Sequence, residues 1–519
     1  MTKKELRLRY SGFIVFTVQV FSILTGLIFT LLLTRNMTTD QYGIWTNIFD
    51  YVAYFTVLGT IIPFWAIRFV ARGKEGAVKT SSLAQVFLAL ISMAAYFPII
   101  YVVYTYAIEP RIGTQAYLPI FMIAGFYLLT AYMIVVFENI LQSTKPQAVG
   151  YGLLIEEIVK VGVALVLILG FHQLFLGAVL ALVLSCYIQV LYYVRLLWKD
   201  LKQAANWGYL REWLKGSFAL LYSQVGQQLM AFSLILLFFY GGSDTRAYYQ
   251  AALSFTTIVT YASSLSFTLY PKLLAKNCND EQVGLSFKTV MMLAIPFSAI
   301  IMVMSFSFLT VLNVSYGVAW PVLVALTVDT LVSLLITFYN SCLLGAEHFD
   351  AEGKISLRQL VKSKIFKAFT LPYVQSAIAL PVIYFVLTRL PVAGSVQAAV
   401  YVIAVLIGAH LSTFMGLYLL MHRSVRIPVA WKSIAKYILS AGLMAAILYL
   451  LPTTSTLLST IGKALLGFLV YVGLLLVIDT QARQLVGLIV DEIKGSLKLL
   501  TSKSVESEAS SSDSSPELE

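Results

Sequence analysis

Two long apolar runs, joined by a short polar break, open this chain. They cover residues 12–33 and 44–70, and basic residues from Arg72 to Lys79 follow the second run. A hydrocarbon core about 30 Å thick is crossed by roughly 20 apolar residues in a helix, so each run is long enough to span a membrane. The stretch 11–79 therefore predicts a transmembrane hairpin with a tight turn.

Runs of this kind recur along the whole chain, and fourteen are of spanning length. They cover 11–34, 43–70, 82–106, 115–142, 153–170, 173–197, 216–240, 247–270, 286–309, 317–345, 369–388, 395–421, 433–451 and 457–479. Only 12% of the 519 residues are charged and the mean hydropathy is +0.84, whereas soluble domains carry about 25% charged residues. The sequence predicts an all-α polytopic membrane protein with about 14 transmembrane helices.

The distribution of lysine and arginine predicts the orientation of these spans, because short cytoplasmic loops are enriched in both. With the N-terminus inside, most of the 36 basic residues lie on the inner side. Only Arg35, Arg111, Arg246 and Arg389 lie on the outer side. We therefore predict a multi-pass protein of the cell membrane with cytoplasmic N- and C-termini. The net charge of +11 is then explained by inner loops, and no nucleic-acid partner is expected.

The two halves of the chain carry a weak internal repeat. Gln19 matches Gln224 at an offset of 205 residues, and Asn139 matches Asn340 at an offset of 201. Six spans separate the copies, so both run in the same direction through the membrane. The repeat predicts two six-helix lobes related by an axis along the membrane normal, with a substrate site between them. Spans thirteen and fourteen fall outside the repeat.

This pattern predicts a division of the chain into two lobes and several connecting segments. The predicted segments are a cytoplasmic arm 1–10, an N-lobe 11–198, a cytoplasmic linker 199–215, a C-lobe 216–421, two further helices in 433–479 and a cytoplasmic tail 480–519. The tail is expected to be disordered from about residue 501, because it is serine-rich and acidic. The inner loop 347–367 is either an amphipathic surface helix or a solvated basic loop. Tryptophans in and beside the linker predict an interfacial belt.

Several short stretches of the membrane part of the chain match sequences of a known protein family. They lie at Ser11-Gly12-Phe13, in the turn from Leu32 to Gly43, in the stretch from Ile140 to Lys145, and at Val159-Lys160-Val161. In these matches and in its pattern of spans, the chain resembles the polysaccharide biosynthesis (Wzx-like) flippases of the multidrug/oligosaccharidyl-lipid/polysaccharide exporter superfamily. The resemblance implies two six-helix lobes, often with two extra helices. It also implies movement of a lipid-linked oligosaccharide from the cytoplasmic to the outer leaflet, with neither enzymatic activity nor a cofactor.

Ionisable and amide side chains inside the spans are the candidate site residues, because such groups are costly in a membrane and usually face a cavity or a partner. They are Asp50, Arg68, Glu138, Lys160 and Asp329, together with the glutamines Gln19, Gln224 and Gln228. Arg68 and Lys160 are candidates for binding a pyrophosphate headgroup, or they extend to lipid headgroups. Asp50 and Asp329 either face a cavity, with Na⁺ or H⁺ as coupling ion, or hold helices together. The amides bind sugar hydroxyls or neighbouring helices.

Three classes of function fit a chain of this kind. The first is a flippase for a polyprenyl-linked oligosaccharide, which takes the headgroup between the lobes while the lipid tail stays in the bilayer. The second is a multidrug/cation antiporter of the same superfamily, in which Asp50 is the cation-linked acid. The third is a membrane glycosyltransferase or polymerase, which the short outer loops disfavour. A nucleotide-binding P-loop is absent from the sequence, which excludes an ATPase of that class.

Overall fold

The computed structural model describes residues 18, 21–22, 24–262, 280–346, 363–391, 393–421, 430–479 and 483, which are helical except for short connections. The helices, numbered in chain order, are α1 Leu24–Asn36, α2 Thr39–Tyr54, α3 Ile61–Ala71, α4 Ala77–Ile112, α5 Leu118–Thr144, α6 Pro146–Ala164, α7 Leu174–Leu201, α8 Gly208–Gly216, α9 Phe218–Gly241, α10 Ser243–Thr260, α11 Asp280–Val303, α12 Ser305–Leu312, α13 Trp320–Ala346, α14 Lys364–Arg389, α15 Ser395–Met421, α16 Trp431–Leu450 and α17 Leu457–Ile478. The described part contains no β-strand.

Segments with altered hydrogen-bond spacing adjoin or interrupt several of these helices. They are the 3₁₀ segments Val57–Thr60 and Val314–Ala319, and the π-helical turns Tyr104–Ile108, Leu165–Gly170 and Leu237–Gly241. The π-helical turns lie near the end of α4, directly after α6 and at the end of α9. Each therefore falls at or near the C-terminal end of an apolar helix. Turns of this kind tighten or widen a helix locally without leaving its backbone groups unpaired.

Each of the fourteen predicted runs overlaps a helix of the described chain. Ten of these helices are long and apolar enough to cross a membrane, and α2 with α3 forms an eleventh span that is bent by 55°. The remaining three are α1, whose apolar part is short, α6 and α10. The all-helical membrane architecture is therefore confirmed, whereas the total of fourteen spans and the orientation of the termini stay predictions.

The bend between α2 and α3 has a specific cause in the sequence. Pro63 lacks the backbone N–H that would otherwise bond the carbonyl of Gly59 four residues earlier. The amide of Gln85 on α4 donates to that Gly59 oxygen at 2.8 Å, and also to the carbonyl of Tyr132 on α5 at 3.1 Å. Gln85 is fully buried. The carbonyl freed by the proline is thus satisfied by a neighbouring helix, which is the usual condition for a broken helix inside a membrane.

The helices pack into two groups, here called the first lobe (α1–α7) and the second lobe (α9–α15). Within the first lobe α6 packs on α7, and α5 contacts α3, α4 and α7. Within the second lobe α13 packs on α15 and α10, and α14 contacts α9 and α15. The lobes meet mainly where α2 lies against α10. The last two helices, α16 and α17, pack on each other and on α11.

The predicted linker 199–215 is more structured than its polar sequence suggests. Helix α7 continues to Leu201, and the short helix α8 follows from Gly208. Trp213 on α8 is fully buried and its ring meets that of Phe69 at a centroid distance of 5.3 Å. Trp198 and Trp207 are exposed, whereas Trp213 packs inside the protein, and the interfacial belt stays a prediction.

Several other predictions fall wholly or partly outside the described residues. Gln19, most of the inner loop 347–367 and almost all of the tail 480–519 belong to this group. The described end of the inner loop is the start of α14, where the Ser363 hydroxyl accepts a hydrogen bond from the backbone N–H of Phe366 at 3.0 Å. This serine is an ordinary helix N-cap.

Candidate functional site

The two lobes approach most closely where α2 and α10 lie side by side. A Cβ atom added to Gly43 would lie 2.0 Å from the carbonyl oxygen of Ser243. Only glycine permits such an approach, as is common where membrane helices pack through small residues. We call this side of the molecule, which also holds the α1–α2 turn at Met37 and Thr38, the hairpin end.

At the hairpin end the first turns of α2 and α10 exchange hydrogen bonds. The Thr39 hydroxyl donates to the Asp244 carboxylate, and the Ser243 hydroxyl donates to the Asp40 carboxylate. Thr39-Asp40 and Ser243-Asp244 are offset by 204 residues. The two bonds are therefore related by the internal repeat, and each lobe supplies one donor and one acceptor.

Further polar contacts join the lobes at the same end. Arg35 donates to the carbonyl of Val311 at 2.9 Å, and the Asn313 amide donates to the carbonyl of Thr34 at 3.2 Å. Arg111 donates to the carbonyl of Phe239 at 3.0 Å, and its guanidinium lies 4.5 Å from the centre of that ring. The hairpin end is thus closed by contacts between the lobes.

A buried ion pair joins the lobes deeper in the protein. Arg246 on α10 binds Asp50 on α2 through two bonds, Nε to Oδ2 at 2.7 Å and Nη2 to Oδ1 at 2.9 Å. The side chains are 3% and 10% exposed. Arg246 also donates to Gln250 at 3.0 Å. This paired geometry is the strongest arrangement of an arginine with a carboxylate, and removing either partner leaves a buried charge without compensation.

At the opposite end the described lobes are joined by fewer polar contacts. Trp65 Nε1 on α3 donates to the hydroxyl of Ser217, the residue before α9, at 2.9 Å. Of the amides predicted to face a shared cavity, Gln224 and Gln228 lie on α9 and Gln19 lies outside the described residues. Gln224 and Gln228 are half-buried, and the Nε2 atom of Gln228 is buried without a partner among the described residues. An unsatisfied amide inside a membrane protein is a group available to a ligand or water.

Lys160 lies between two carboxylates within the first lobe. Its Nζ atom is 3.3 Å from Glu156 and 2.9 Å from Glu157, one turn earlier on α6. Glu157 also accepts bonds of 2.6 Å from the hydroxyls of Ser22 and Thr25. The prediction placed this cluster at the inner end of its span. In the structure α6 begins at Pro146, so Lys160 lies about 21 Å from the start of the helix.

Glu138 and Arg68 occupy separate places in the first lobe. Glu138 accepts hydrogen bonds of 3.2 Å from Gln189 and from the Tyr193 hydroxyl, both on α7. Arg68 lies near the end of α3, where its guanidinium is 3.6 Å from the centre of the Phe64 ring. The structure therefore does not place Arg68 and Lys160 in one cationic cluster.

Asp329 forms a second acid–base pair, which lies wholly within the second lobe. Its Oδ1 atom is 2.6 Å from Nδ1 of His410, so α13 is joined to α15. The side chains are 9% and 21% exposed. This buried contact therefore links two helices of the same lobe through a carboxylate and an imidazole.

Two residues of these pairs, Arg246 and His410, are not among the predicted site residues. Arg246 was assigned to an outer loop, because the apolar run begins at residue 247, whereas α10 begins at Ser243. His410 lies in the middle of the predicted span 395–421, and a search for every titratable group within spans would have found it. Among the described residues, no group of three or more His, Cys, Asp or Glu is placed to hold a metal ion.

Three solved structures share this architecture. A structure of the lipid II flippase MurJ in an inward closed conformation has a TM-score of 0.63, with 15% identity over 89% of this chain and 97% of that chain. A multidrug resistance MATE family transporter of the MOP superfamily has a TM-score of 0.57 in its inward-facing conformation, with 14% identity over 78% and 96%. A multidrug resistance MATE family transporter of the MOP superfamily in an outward-facing conformation has a TM-score of 0.57, with 13% identity over 81% of this chain and 96% of that chain.

The chain has the MurJ/MATE transporter fold. At these identities the similarity establishes the fold alone. Neither a protein-family model nor a curated protein sequence matches the chain, so the Wzx-like resemblance remains a proposal at the level of family. The part of the resemblance that is confirmed is the architecture, which the chain shares with solved structures of such transporters.

Proposed function

We propose that this protein is an alternating-access flippase that moves a polyprenyl-(pyro)phosphate-linked oligosaccharide from the cytoplasmic to the outer leaflet. The observation that carries the proposal is the set of contacts between the lobes at the hairpin end, above the buried Asp50–Arg246 pair. An alternating-access transporter opens one side of a central site while the other is closed. A two-lobe protein with a specific, breakable closure at one end has the required construction.

We take the hairpin end to face the outside of the cell, because most of the lysine and arginine is predicted on the opposite, inner side. The closure at Thr39, Asp40, Ser243 and Asp244 would then be the outer gate. Outward release would require α2 and α10 to separate, which breaks the Asp50–Arg246 pair. The separated groups would face the space between the lobes, where Arg246 could meet a phosphate.

Arg68 is our candidate for the first contact with the phosphorylated headgroup. It lies near the end of α3 that leads to the basic inner side, and its guanidinium is held against a phenyl ring. Arginine binds phosphate oxygens in a paired geometry that lysine does not reproduce. Lys160 is the weaker candidate, because Glu156 and Glu157 together outweigh its charge.

The Glu156–Glu157–Lys160 cluster favours a second candidate function, a multidrug/cation antiporter. With all three groups ionised the cluster is anionic, and it lies deep within the first lobe. Such a site suits an organic cation, a Na⁺ ion or a proton better than a pyrophosphate. In a flippase the same cluster would serve as the coupling site for Na⁺ or H⁺.

A leaflet-translocation assay tests the two functions against each other. Proteoliposomes would hold a fluorescent polyprenyl-pyrophosphoryl oligosaccharide, and a membrane-impermeant probe would report its appearance in the opposite leaflet. We expect protein-dependent translocation that falls at least about tenfold in Arg68→Ala. Arg68→Lys is the matched control, which keeps the charge and tests the geometry. If lipid does not move but cationic dyes are expelled under a Na⁺ or H⁺ gradient, and Glu157→Gln abolishes the expulsion, the antiporter is correct.

A disulfide across the proposed outer gate tests the alternating-access mechanism itself. In a cysteine-free background, Thr39→Cys with Asp244→Cys should cross-link the lobes, block transport and release it on reduction. Thr454→Cys with Thr460→Cys is the control, because those hydroxyls are 2.8 Å apart and lie in the α16–α17 connection and the first turn of α17. Transport that continues through the cross-linked gate would contradict the mechanism.

A further inference from the structure

A groove on the membrane-facing side of the first lobe combines a basic mouth with an apolar wall. It lies between α4, α5 and α7 and has a volume of about 370 Å³. Leu83 and Trp198 stand at its opening and are 36% and 54% exposed. We call this site the lysine groove, after Lys79 and Lys202. It is separate from the contact between the two lobes.

The two lysines lie at the same end of the groove. Lys79 is in the first turn of α4, and Lys202 directly follows the last residue of α7. The Lys202 ammonium is 5.3 Å from the centre of the Trp198 ring. None of the residues lining the groove is acidic, and neither lysine pairs with a carboxylate among the described residues. The mouth therefore carries two lysines and, among the residues that the structure describes, no carboxylate paired with them.

The rest of the groove is apolar and extends away from the lysines. Val86, Met133, Phe137 and Val194 line it, and each comes from one of the three helices that form the walls. Farther along the outward face of α4, Phe87 and neighbouring residues are exposed to the surroundings. A face of exposed large apolar residues on a membrane-spanning helix contacts lipid. The groove therefore opens into the bilayer and not into water.

A ligand that fits this arrangement has an anionic head at the membrane surface and a hydrocarbon tail within the bilayer. Lysine and tryptophan together mark the level of lipid headgroups, and lysines near the surface attract anionic lipids. We propose that the lysine groove binds an anionic glycerophospholipid, with the phosphate between Lys79 and Lys202 and one acyl chain along Phe137 and Val86. This lipid would be a bound component of the first lobe and not the transported substrate.

Native mass spectrometry of the full-length protein tests this proposal. The purified protein would be titrated with phosphatidylglycerol and phosphatidylcholine that carry identical acyl chains. We expect phosphatidylglycerol to bind with higher affinity, and we expect Lys79→Gln with Lys202→Gln to lower that affinity about 10- to 30-fold, since each lysine contributes roughly fivefold. Lys79→Arg with Lys202→Arg should retain binding. The melting temperature without added lipid would verify that each variant is folded.

Two further variants separate a built site from general attraction to charge. Lys367→Gln with Lys432→Gln removes the same charge from exposed positions on α14 and α16 and should leave the affinity within about twofold. Val86→Phe fills the groove without changing charge and should weaken binding of the anionic lipid. The proposal is overturned if the wild-type protein does not prefer phosphatidylglycerol. It is also overturned if the control pair weakens binding equally, or if Val86→Phe has no effect. None of these outcomes depends on transport.

Discussion

Two acid–base pairs in this protein have similar bond lengths and different positions. Asp50 and Arg246 are joined at 2.7 Å across the contact between the lobes, whereas Asp329 and His410 are joined at 2.6 Å within the second lobe. The first pair must break if the lobes separate at the hairpin end. The second can remain intact, because α13 and α15 belong to one packed group. Position relative to the lobe contact therefore decides whether a buried pair controls a conformational equilibrium or supports the fold.

The same distinction applies to the first lobe. Lys160 and its two glutamates lie on one helix, so lobe separation does not change their distances. A ligand could alter such a cluster only by competing for its charges. The pairs within lobes are therefore candidates for ion coupling, and the pair between lobes is a candidate for gating. Four predictions test this division between pairs within lobes and the pair between lobes. Each measures closure of the hairpin end by the rate of cross-linking between Thr39→Cys and Asp244→Cys.

The largest effect is expected for Arg246→Gln. It leaves the Asp50 carboxylate buried without a partner, at a cost of about 3–5 kcal/mol to the closed arrangement. We expect the rate of cross-linking to fall by at least about tenfold and transport to be lost. Asp50→Asn combined with Arg246→Gln removes both charges and should recover part of the closure. Unchanged cross-linking in the single variant would show that the pair does not hold the lobes together.

A smaller but clear effect is expected for Gly43→Ala. The added methyl group would lie 2.0 Å from the Ser243 carbonyl, so α10 must shift, and overpacking of this kind costs about 1–3 kcal/mol. We expect slower cross-linking with little change in the melting temperature. Gly26→Ala is the matched control, because a Cβ there meets no atom within 4 Å. Equal effects of the two substitutions would contradict the importance of the α2–α10 approach.

The pair within the second lobe should show the reverse pattern. His410→Gln removes a hydrogen bond to a carboxylate, which contributes about 1–3 kcal/mol. The melting temperature should fall by a few degrees, while cross-linking across the hairpin end stays within about twofold of the parent. A large loss of cross-linking in this variant would break the distinction between pairs within lobes and pairs between them.

The smallest effect is expected for Ser243→Ala. In the cross-linking background the two cysteines already replace the Thr39–Asp244 bond, so this substitution removes the remaining exchanged bond, from Ser243 to Asp40, and a single hydrogen bond contributes about 0.5–1.5 kcal/mol. Cross-linking should slow by no more than about tenfold, and less than in Arg246→Gln. Ser459→Ala, at an exposed position of α17, provides the control. If cross-linking slowed as much as in Arg246→Gln, the first turns of α2 and α10, and not the ion pair, would be the main contact that holds the hairpin end closed.

The helices could be predicted from the sequence because each apolar run alone determines whether a segment spans a membrane. Pro63 permits a kink in the second run, and α2 and α3 are indeed bent by 55°, but the contact of Gln85 with the carbonyl of Gly59 could not be predicted. The Asp50–Arg246 pair was missed for a similar reason. Its partners are 196 residues apart, and the run that predicted α10 begins after Arg246. Polar residues in the first turn of a helix do not appear in a hydropathy pattern, yet here they form the lobe contact.

The exchanged bonds of Thr39, Asp40, Ser243 and Asp244 are those of a two-fold symmetric dimer, in which the same surface meets its own copy. Such an interface would repeat every contact twice. The repeat offset of 204 residues relates Asp50 to Ser254 and Tyr42 to Arg246. The side chains of Tyr42 and Ser254 also lie together. Of these two symmetry-related positions, one therefore holds an ion pair and the other holds a neutral pair of hydroxyls. Because both halves belong to one chain, the two sides of this interface can differ, and among the described residues only one side holds an ion pair.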